Sequence, residues 1–314
     1  MPSLAAARAT NAAYEFSYRP IAVFVGGTSG VGQATAETLA KITHGNAHIF
    51  IIGRNRTAAE ATLSLFPKPA SGISDSMHEF IECDVTMMKN VERTTQLLLA
   101  RIPRLNFLVL STGILSFEGR TETEEGIDRR LALNYYSRWK FVHDLLPLLQ
   151  KAKDEGQMAS VMTVLGPQGA GKIDLEDLGL KKHFSMLNFG TASATYNNLM
   201  LEAFADRNPK VSYIHVWPGI VRTPLLDIFS HWSLKPANWL LRGLTRPFSV
   251  SPEECSQYML WTLLNSESGV HLKGDKGGDL EPSTRYSGNL TEARTRLYEH
   301  TVDEVDGAIR RGRS

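Results

Sequence analysis

The feature that most constrains this chain is Val25-Gly26-Gly27-Thr28-Ser29-Gly30-Val31-Gly32, set directly behind the apolar run Ile21 to Phe24. A short apolar run, a glycine-rich break and a helix-forming stretch (Gln33 to Lys41) predict a buried strand, a tight turn and a helix N-terminus. At such a junction the first helical N–H groups have no carbonyl partners and the positive end of the helix dipole faces outward. A phosphate is attracted there, and residues without side chains let it approach closely. The glycines fall as G-x-x-x-G-x-G, a spacing distinct from the G-x-G-x-x-G of the commonest dinucleotide fingerprint.

Further apolar runs follow at His48 to Ile52, Glu79 to Cys83, Asn106 to Leu110, Ala159 to Leu165, Val211 to Trp217 and near Val270, alternating with helical stretches. That alternation implies parallel strands joined by crossover helices, an α/β chain with a doubly wound, mostly parallel seven-stranded sheet. The 314 residues fit one domain over 21–314, preceded by an N-terminal extension, 1–20. Net charge is +1 with no basic cluster, which argues against a nucleic-acid footprint or a polybasic membrane anchor. Cys83 and Cys255 lack metal-ligand spacing and read as buried thiols, so no metal is expected. Met1 to Pro20 lacks the basic start and apolar block of a secretory signal, and no stretch approaches 18 uninterrupted apolar residues. A soluble cytoplasmic protein is expected.

The glycine turn resembles that of the short-chain dehydrogenase/reductase family, T-G-x-x-x-G-x-G, with Val25 where the family has Thr. Pro218-Gly219-Ile220-Val221-Arg222-Thr223 matches the family's P-G-x-V-x-T, and Ser111-Thr112-Gly113 stands where N-N-A-G is usual. Asp84-Val85 resembles the family's adenine contact, although Asp84 equally suits a cap for the helix starting near Met88. The resemblance covers about Ile21 to Ser266 and is close to atypical fungal members of secondary-metabolite pathways. It implies a Rossmann-type fold and a nicotinamide cofactor held by Gly26, Thr28, Ser29, Gly30, Val31, Gly32, Asp84, Val85, Ser111, Gly113, Pro218, Gly219, Ile220, Val221 and Thr223. Enzymes preferring NAD place an acidic residue after the second strand, whereas an Arg there accommodates the 2′-phosphate of NADP. Here Gly53 takes the acidic position and Arg54 follows, so NADP(H) is favoured over NAD(H).

The same resemblance implies a proton-handling centre, and it is here that the chain departs. Asn134, in the first half of the helix expected over Ile127 to Leu149, stands where the family's Asn holds a relay water through its carbonyl; equally, it is a polar residue between Leu133 and Tyr135. Aligned by the fifth strand, the family's Ser falls on Gly166, its Tyr on Phe189 and its Lys on Ser193. No register shift restores them, since Tyr196 is the single Tyr between Lys182 and Lys210 and would bring Met200 to the Lys position. Tyr136 and Lys140 spell Y-x-x-x-K but on the helix before the fifth strand, and are expected to form an ordinary i,i+4 pair.

A placed general acid contributes roughly 10²–10⁴ in rate, so these losses impair orthodox carbonyl reduction. His183 and Thr191 lie near the altered positions but read more simply as an exposed loop residue and a helix cap. Between them, Ile173 to Leu178 resembles the insert of retinol-dehydrogenase-like members. Residues 224–250, rich in Leu, Phe and Trp, fall where the family carries a substrate lid, and suit an apolar small molecule or a patch resting on a membrane. Three readings follow: an NADP(H)-dependent oxidoreductase with an unorthodox proton donor, a non-redox isomerase or cyclase on the same scaffold, or a catalytically inactive cofactor-binding protein. The resemblance also allows a homodimer or homotetramer through the helices after the fourth and fifth strands.

Overall fold

The computed structural model describes residues 1–69, 77–114, 119–223, 246–280 and 288–313. Seven strands form one all-parallel sheet: β1 (Ile21–Val25), β2 (His48–Gly53), β3 (His78–Glu82), β4 (Phe107–Leu110), β5 (Ser160–Val164), β6 (Ser212–Val216) and β7 (Gly269–Lys273). Their spatial order is β3-β2-β1-β4-β5-β6-β7. The direction of winding reverses between β1 and β4, and it is outside the carboxyl ends at such a reversal that open α/β sheets bind ligands.

Successive side chains of a strand point to opposite faces, and β1 shows what each face meets. Ile21, Val23 and Val25 join a core built with helices α4 (Met88–Arg101), α5 (129–154), α6 (Met186–Arg207) and α8 (Leu290–Arg313). Ala22 and Phe24 join the opposite core, under α1 (Leu4–Ala12), α2 (Gly30–Ile42), α3 (Arg56–Ser64) and α7 (Pro252–Asn265). Both faces of the sheet are therefore covered, which explains why its strands read as continuous apolar runs rather than alternating ones.

Helix α5 corresponds to the expected Ile127 to Leu149 stretch. It is built from one turn (Arg129–Leu131), a π-helical turn (Ala132–Tyr136) and a long α-helical part (Ser137–Asp154). The Y-x-x-x-K residues on it do not form the expected pair. Lys140 Nζ bonds Asp144 Oδ1 at 2.9 Å, while the Tyr136 hydroxyl meets His300 Nε2 of α8 at 2.8 Å. Tyr135 likewise bonds Thr301 of α8 at 2.7 Å, and Tyr298 packs edge-on to Trp139. Helix α8 thus lies over the outer face of α5 and against α6, the face that the resemblance assigns to subunit contacts.

Residues 1–20 contain a capped helix, with the Ser3 hydroxyl accepting from the Ala6 N–H at 3.1 Å. The buried Asn11 fastens it to α7 by donating to the Gln257 carbonyl at 2.8 Å. At the start of α4 the cap comes from a distant residue rather than from Asp84. The buried Glu125 carboxylate accepts from the N–H groups of Met88 at 2.5 Å and Lys89 at 3.0 Å. Asp84 instead accepts from the N–H and hydroxyl of Thr86, at 3.0 and 2.8 Å. The expected lid lies outside the described residues except for 246–250.

Candidate functional site

The site grows from the carboxyl ends of the strands, where the sequence motifs converge. Gly26 leaves β1 at φ +91° and Gly30 opens α2 at φ +60°, backbone conformations that side chains disfavour. Ser111, at the end of β4, closes on this turn: its N–H and hydroxyl both donate to the Val25 carbonyl, at 2.8 and 3.1 Å. A Cβ on Gly26 would sit 2.8 Å from Ser111 Oγ, and one on Gly32 only 2.2 Å from the same atom. The two strand ends flanking the reversal are therefore in direct contact, with room for backbone alone.

Helix α2 has an extended residue, Ser29, as its N-cap, and the Ser29 side chain makes no capping bond. The first-turn N–H groups at Gly30, Val31 and Gly32 are left as helix-terminal donors, the arrangement that fits an anion. Across the turn, Thr223 closes on Gly30, whose Cβ would lie 3.1 Å from the Thr223 methyl. Thr223 ends the segment Pro218 to Thr223 after β6, where Gly219 takes φ +76° and the Ile220 carbonyl accepts from the Val250 N–H at 2.9 Å. On the other flank Gly53 ends β2 against Thr28, whose methyl would be 2.8 Å from a Cβ at 53. A side chain at that position would require Thr28 to turn aside. The exposed Arg54 follows, with its guanidinium 4.0 Å from Asp84 Oδ2. Val85 is buried beside Asp84.

The model of the family described as short chain dehydrogenase matches residues 20–173. An oxidoreductase of Emericella nidulans is 34% identical, the alignment covering 99% of this chain and 100% of that protein. The chain belongs to the short-chain dehydrogenase/reductase family. A human polyprenol dehydrogenase is 26% identical over 83% of this chain and 77% of its own length. The NADPH-bound carbonyl reductase from chicken fatty liver shares the fold, with a TM-score of 0.58 and 18% identity over 84% of this chain and 99% of that one.

Of the positions at which the sequence predicts Ser, Tyr and Lys replacements, Gly166 lies just past β5 while Phe189 and Ser193 lie on α6, which Asn197 ties to Thr163 of β5. Gly166 follows β5, and its N–H donates to His215 Nε2 at 3.2 Å. A Cβ there would meet only the flexible Gln168 side chain at 3.7 Å, so there is space for a larger residue. Phe189, in the first turn of α6, is buried against Phe184, and the Arg130 guanidinium lies 5.5 Å from its ring centre. One turn on, Ser193 is buried with its hydroxyl unpartnered among the described residues. None of the three side chains, hydrogen, benzyl and neutral hydroxymethyl, carries a charge or a strong acid.

Asn134 sits in the π-turn of α5, buried, with its side-chain oxygen 3.4 Å from where a Cβ on Gly113 would be. Its carbonyl accepts from Asn197 Nδ2 at 2.8 Å, so one of its two lone pairs is taken by α6 rather than left for water. Asn197 also donates to the Ser193 carbonyl at 2.8 Å and accepts from the Thr163 hydroxyl at 3.0 Å. His183 keeps its simpler reading, exposed and 3.6 Å from Asp174. Thr191 is not the helix cap: Ser185 caps α6, its hydroxyl accepting from the Asn188 N–H at 3.0 Å, and Thr191 lies inside the helix with its methyl near Gly171.

Beneath these residues lies a group that the sequence reading missed. Arg138 of α5 is fully enclosed and donates to the carbonyls of Thr112 at 2.6 Å and Val164 at 3.1 Å, and to the Thr163 hydroxyl. It follows Asn134 by four residues, a spacing that places both on one helix face and was visible in the chain. The neighbouring His215 is also buried; its Nε2 accepts from Gly166, so Nδ1 carries the proton and donates to Asn198 Oδ1 at 2.6 Å. Burial, and then the Arg138 charge, hold its pKa well below the ordinary imidazole value, so the ring stays neutral. Burial pushes the thiols of Cys83 and Cys255 up, to about 11 and about 12, making both poor nucleophiles. Among the described residues no cluster of His, Cys, Asp or Glu is placed to hold a metal, and no helix is long and apolar enough to cross a membrane.

Proposed function

We propose that this protein binds NADP(H) at the carboxyl edge of its sheet and acts as an oxidoreductase on an apolar small molecule without the usual Ser-Tyr-Lys set. The observation that carries the reading is the contrast at one edge. The glycine turn is packed so closely that Gly26 and Gly32 admit no Cβ, while Gly166, Phe189 and Ser193 beside it offer no acid. The first-turn N–H groups of α2 suit a pyrophosphate, and with no carboxylate at Gly53 the exposed Arg54 is free to meet a 2′-phosphate. Bound NADPH would supply the hydride; the chain's own part is to hold the nucleotide, exclude water through buried Phe189, and orient a carbonyl.

An apolar substrate is supported by Leu187, Ile220 and Phe248, large hydrophobic residues left exposed at this edge. The relative named polyprenol dehydrogenase points the same way. With no strong acid at the three positions, an activated substrate that needs little protonation is the chemistry that fits an oxidoreductase here. The same feature favours, as the second reading, a non-redox rearrangement in which positioning alone lowers the barrier.

The test is a fluorescence titration with NADPH and NADH, followed by NADPH consumption with a panel of apolar ketones and enones. Tight NADPH binding, weaker NADH binding and nucleotide oxidation with an activated enone are expected. No binding of either nucleotide overturns the reading. Binding without hydride transfer to any member, combined with activity gained in the triple variant Gly166→Ser, Phe189→Tyr, Ser193→Lys, transfers the case to the second.

A further inference from the structure

We propose that Arg138 supplies an unpaired fixed positive charge beneath this site and acts as a positioning residue that biases it toward the uncharged reduced nicotinamide ring over the cationic oxidised one. The proposal rests on the NADP(H) reading above. A charged side chain is almost never fully buried unless it is paired, yet Arg138 is 1% exposed. It belongs to no ion pair among the described residues, and its Nε has no hydrogen-bond partner there. Its partners are oxygens of neutral groups: the Thr112 and Val164 carbonyls and the Thr163 hydroxyl. The titratable group packed beside it, His215, is neutral. Burial alone draws the guanidinium down to about 9, so it remains charged at neutral pH. Nothing therefore cancels this charge.

Its location gives the charge a use. Of the two carbonyls it holds, that of Thr112 lies two residues past the end of β4 and one before Gly113, and that of Val164 ends β5, two before Gly166, so the cation lies directly under the two strand ends that border the site. Through Thr163 and Asn197 it also reaches the carbonyls of Asn134 and Ser193. A lysine at 193 would bring an ammonium to this region from α6; with serine there, the cation comes from α5 instead. A unit charge acting over on the order of 10 Å at an effective dielectric of about 20–40 changes an equilibrium between a neutral and a cationic ring by about four- to fifteenfold.

The experiment compares dissociation constants for NADPH and NADP⁺ in the full-length wild type, Arg138→Lys, Arg138→Met and Arg138→Gln, each checked for folding by circular dichroism. Glutamine retains amide donors for the carbonyls where methionine leaves them bare, so a folding failure in one neutral variant leaves the other to decide. The expected result is a ratio Kd(NADP⁺)/Kd(NADPH) that falls about four- to fifteenfold in the neutral variants, stays within about twofold in Arg138→Lys, and is restored in Arg138→Gln/Ser193→Lys. A merely structural role would weaken both nucleotides together and leave the ratio unchanged, and that result overturns the proposal. If wild type binds neither nucleotide, the NADP(H) reading falls and takes this proposal with it; an unresponsive ratio in a binding-competent protein sinks this proposal alone.

Discussion

The packing around Gly32 makes a prediction that can be worked in numbers. In Gly32→Ala the new methyl would lie 2.2 Å from Ser111 Oγ and 2.7 Å from the Gly26 carbonyl oxygen. The first clash is soluble: Ser111 can turn away, giving up its hydroxyl bond to the Val25 carbonyl while its N–H keeps its own. That bond carries about 0.5–1.5 kcal/mol. The second clash is with backbone, and it yields only if the Gly26 peptide or the start of α2 moves. Overpacking of this kind costs about 1–3 kcal/mol, less the fraction of about 1 kcal/mol that alanine gains over glycine in a helix. If NADPH binds at the first-turn N–H groups as proposed, they move with the peptide and weaker NADPH binding accompanies the loss, tenfold for each 1.4 kcal/mol or so. Urea denaturation without nucleotide reads the first quantity and fluorescence titration the second. Ser111→Ala/Gly32→Ala separates the two contacts: removing the hydroxyl recovers part of the loss and leaves the carbonyl clash. Full recovery in the double variant, or a neutral Gly32→Ala, would refute the reasoning.

Three further outcomes are expected. Glu125→Ala removes the acceptor for two N–H groups at the start of α4 and should destabilise the fold by about 1–2 kcal/mol, with Glu125→Gln, which keeps one acceptor, intermediate in the same denaturation assay. The buried Asp177 carboxylate, although burial raises its pKa, is held below its ordinary 3.8 by three accepted N–H bonds, from Lys181, Lys182 and His183. A depressed folded value means that its stabilisation is fully present above 3.8 and is lost as pH falls below that, so Asp177→Asn should flatten the acid limb of a stability–pH curve while leaving its shape at neutral pH. Because α8 covers the outer face of α5, sedimentation velocity should show no association through that face in the intact chain. A dimer trapped by cysteine cross-links across α5 and α6 would contradict this.

Much of the fold was legible because its signals are local. Strands β1, β2 and β4 to β6 fall within one or two residues of the apolar runs, since strands buried on both faces must be apolar throughout. The glycine turn was legible for a related reason: positive φ at Gly26 and Gly30 and zero clearance at Gly32 leave few residues that can stand there. What escaped depends on partners far away in the chain. The cap of α4 comes from Glu125, 37 residues beyond Met88, while the nearer Asp84 is engaged with Thr86. Tyr136 and Lys140 have the right spacing for a pair, but His300 and Asp144 offer each a partner at hydrogen-bond distance. Helical periodicity fixes which face a residue occupies and says nothing about which distant element covers it.

The polar wiring around the altered positions shares a pattern that no local signal reveals. Asn197 lies one helical turn beyond Ser193, Arg138 one turn beyond Asn134, and Thr163 three residues before Gly166. These three are bonded to one another, with Thr163 in the middle. Hydrogen-bonding capacity is thus concentrated a layer below the strand ends rather than at them. A buried network of this kind stiffens the ends of β4, β5 and the π-turn of α5, because leaving any of its donors or acceptors bare inside the protein costs about 1–3 kcal/mol. The surface above it keeps the benzyl of Phe189 and the bare backbone of Gly166. On the proposed reading, a buried positive charge beneath Gly166 and Phe189 would suit a reaction in which the substrate is held and polarised rather than protonated, with the glycine turn kept in register by the network below it.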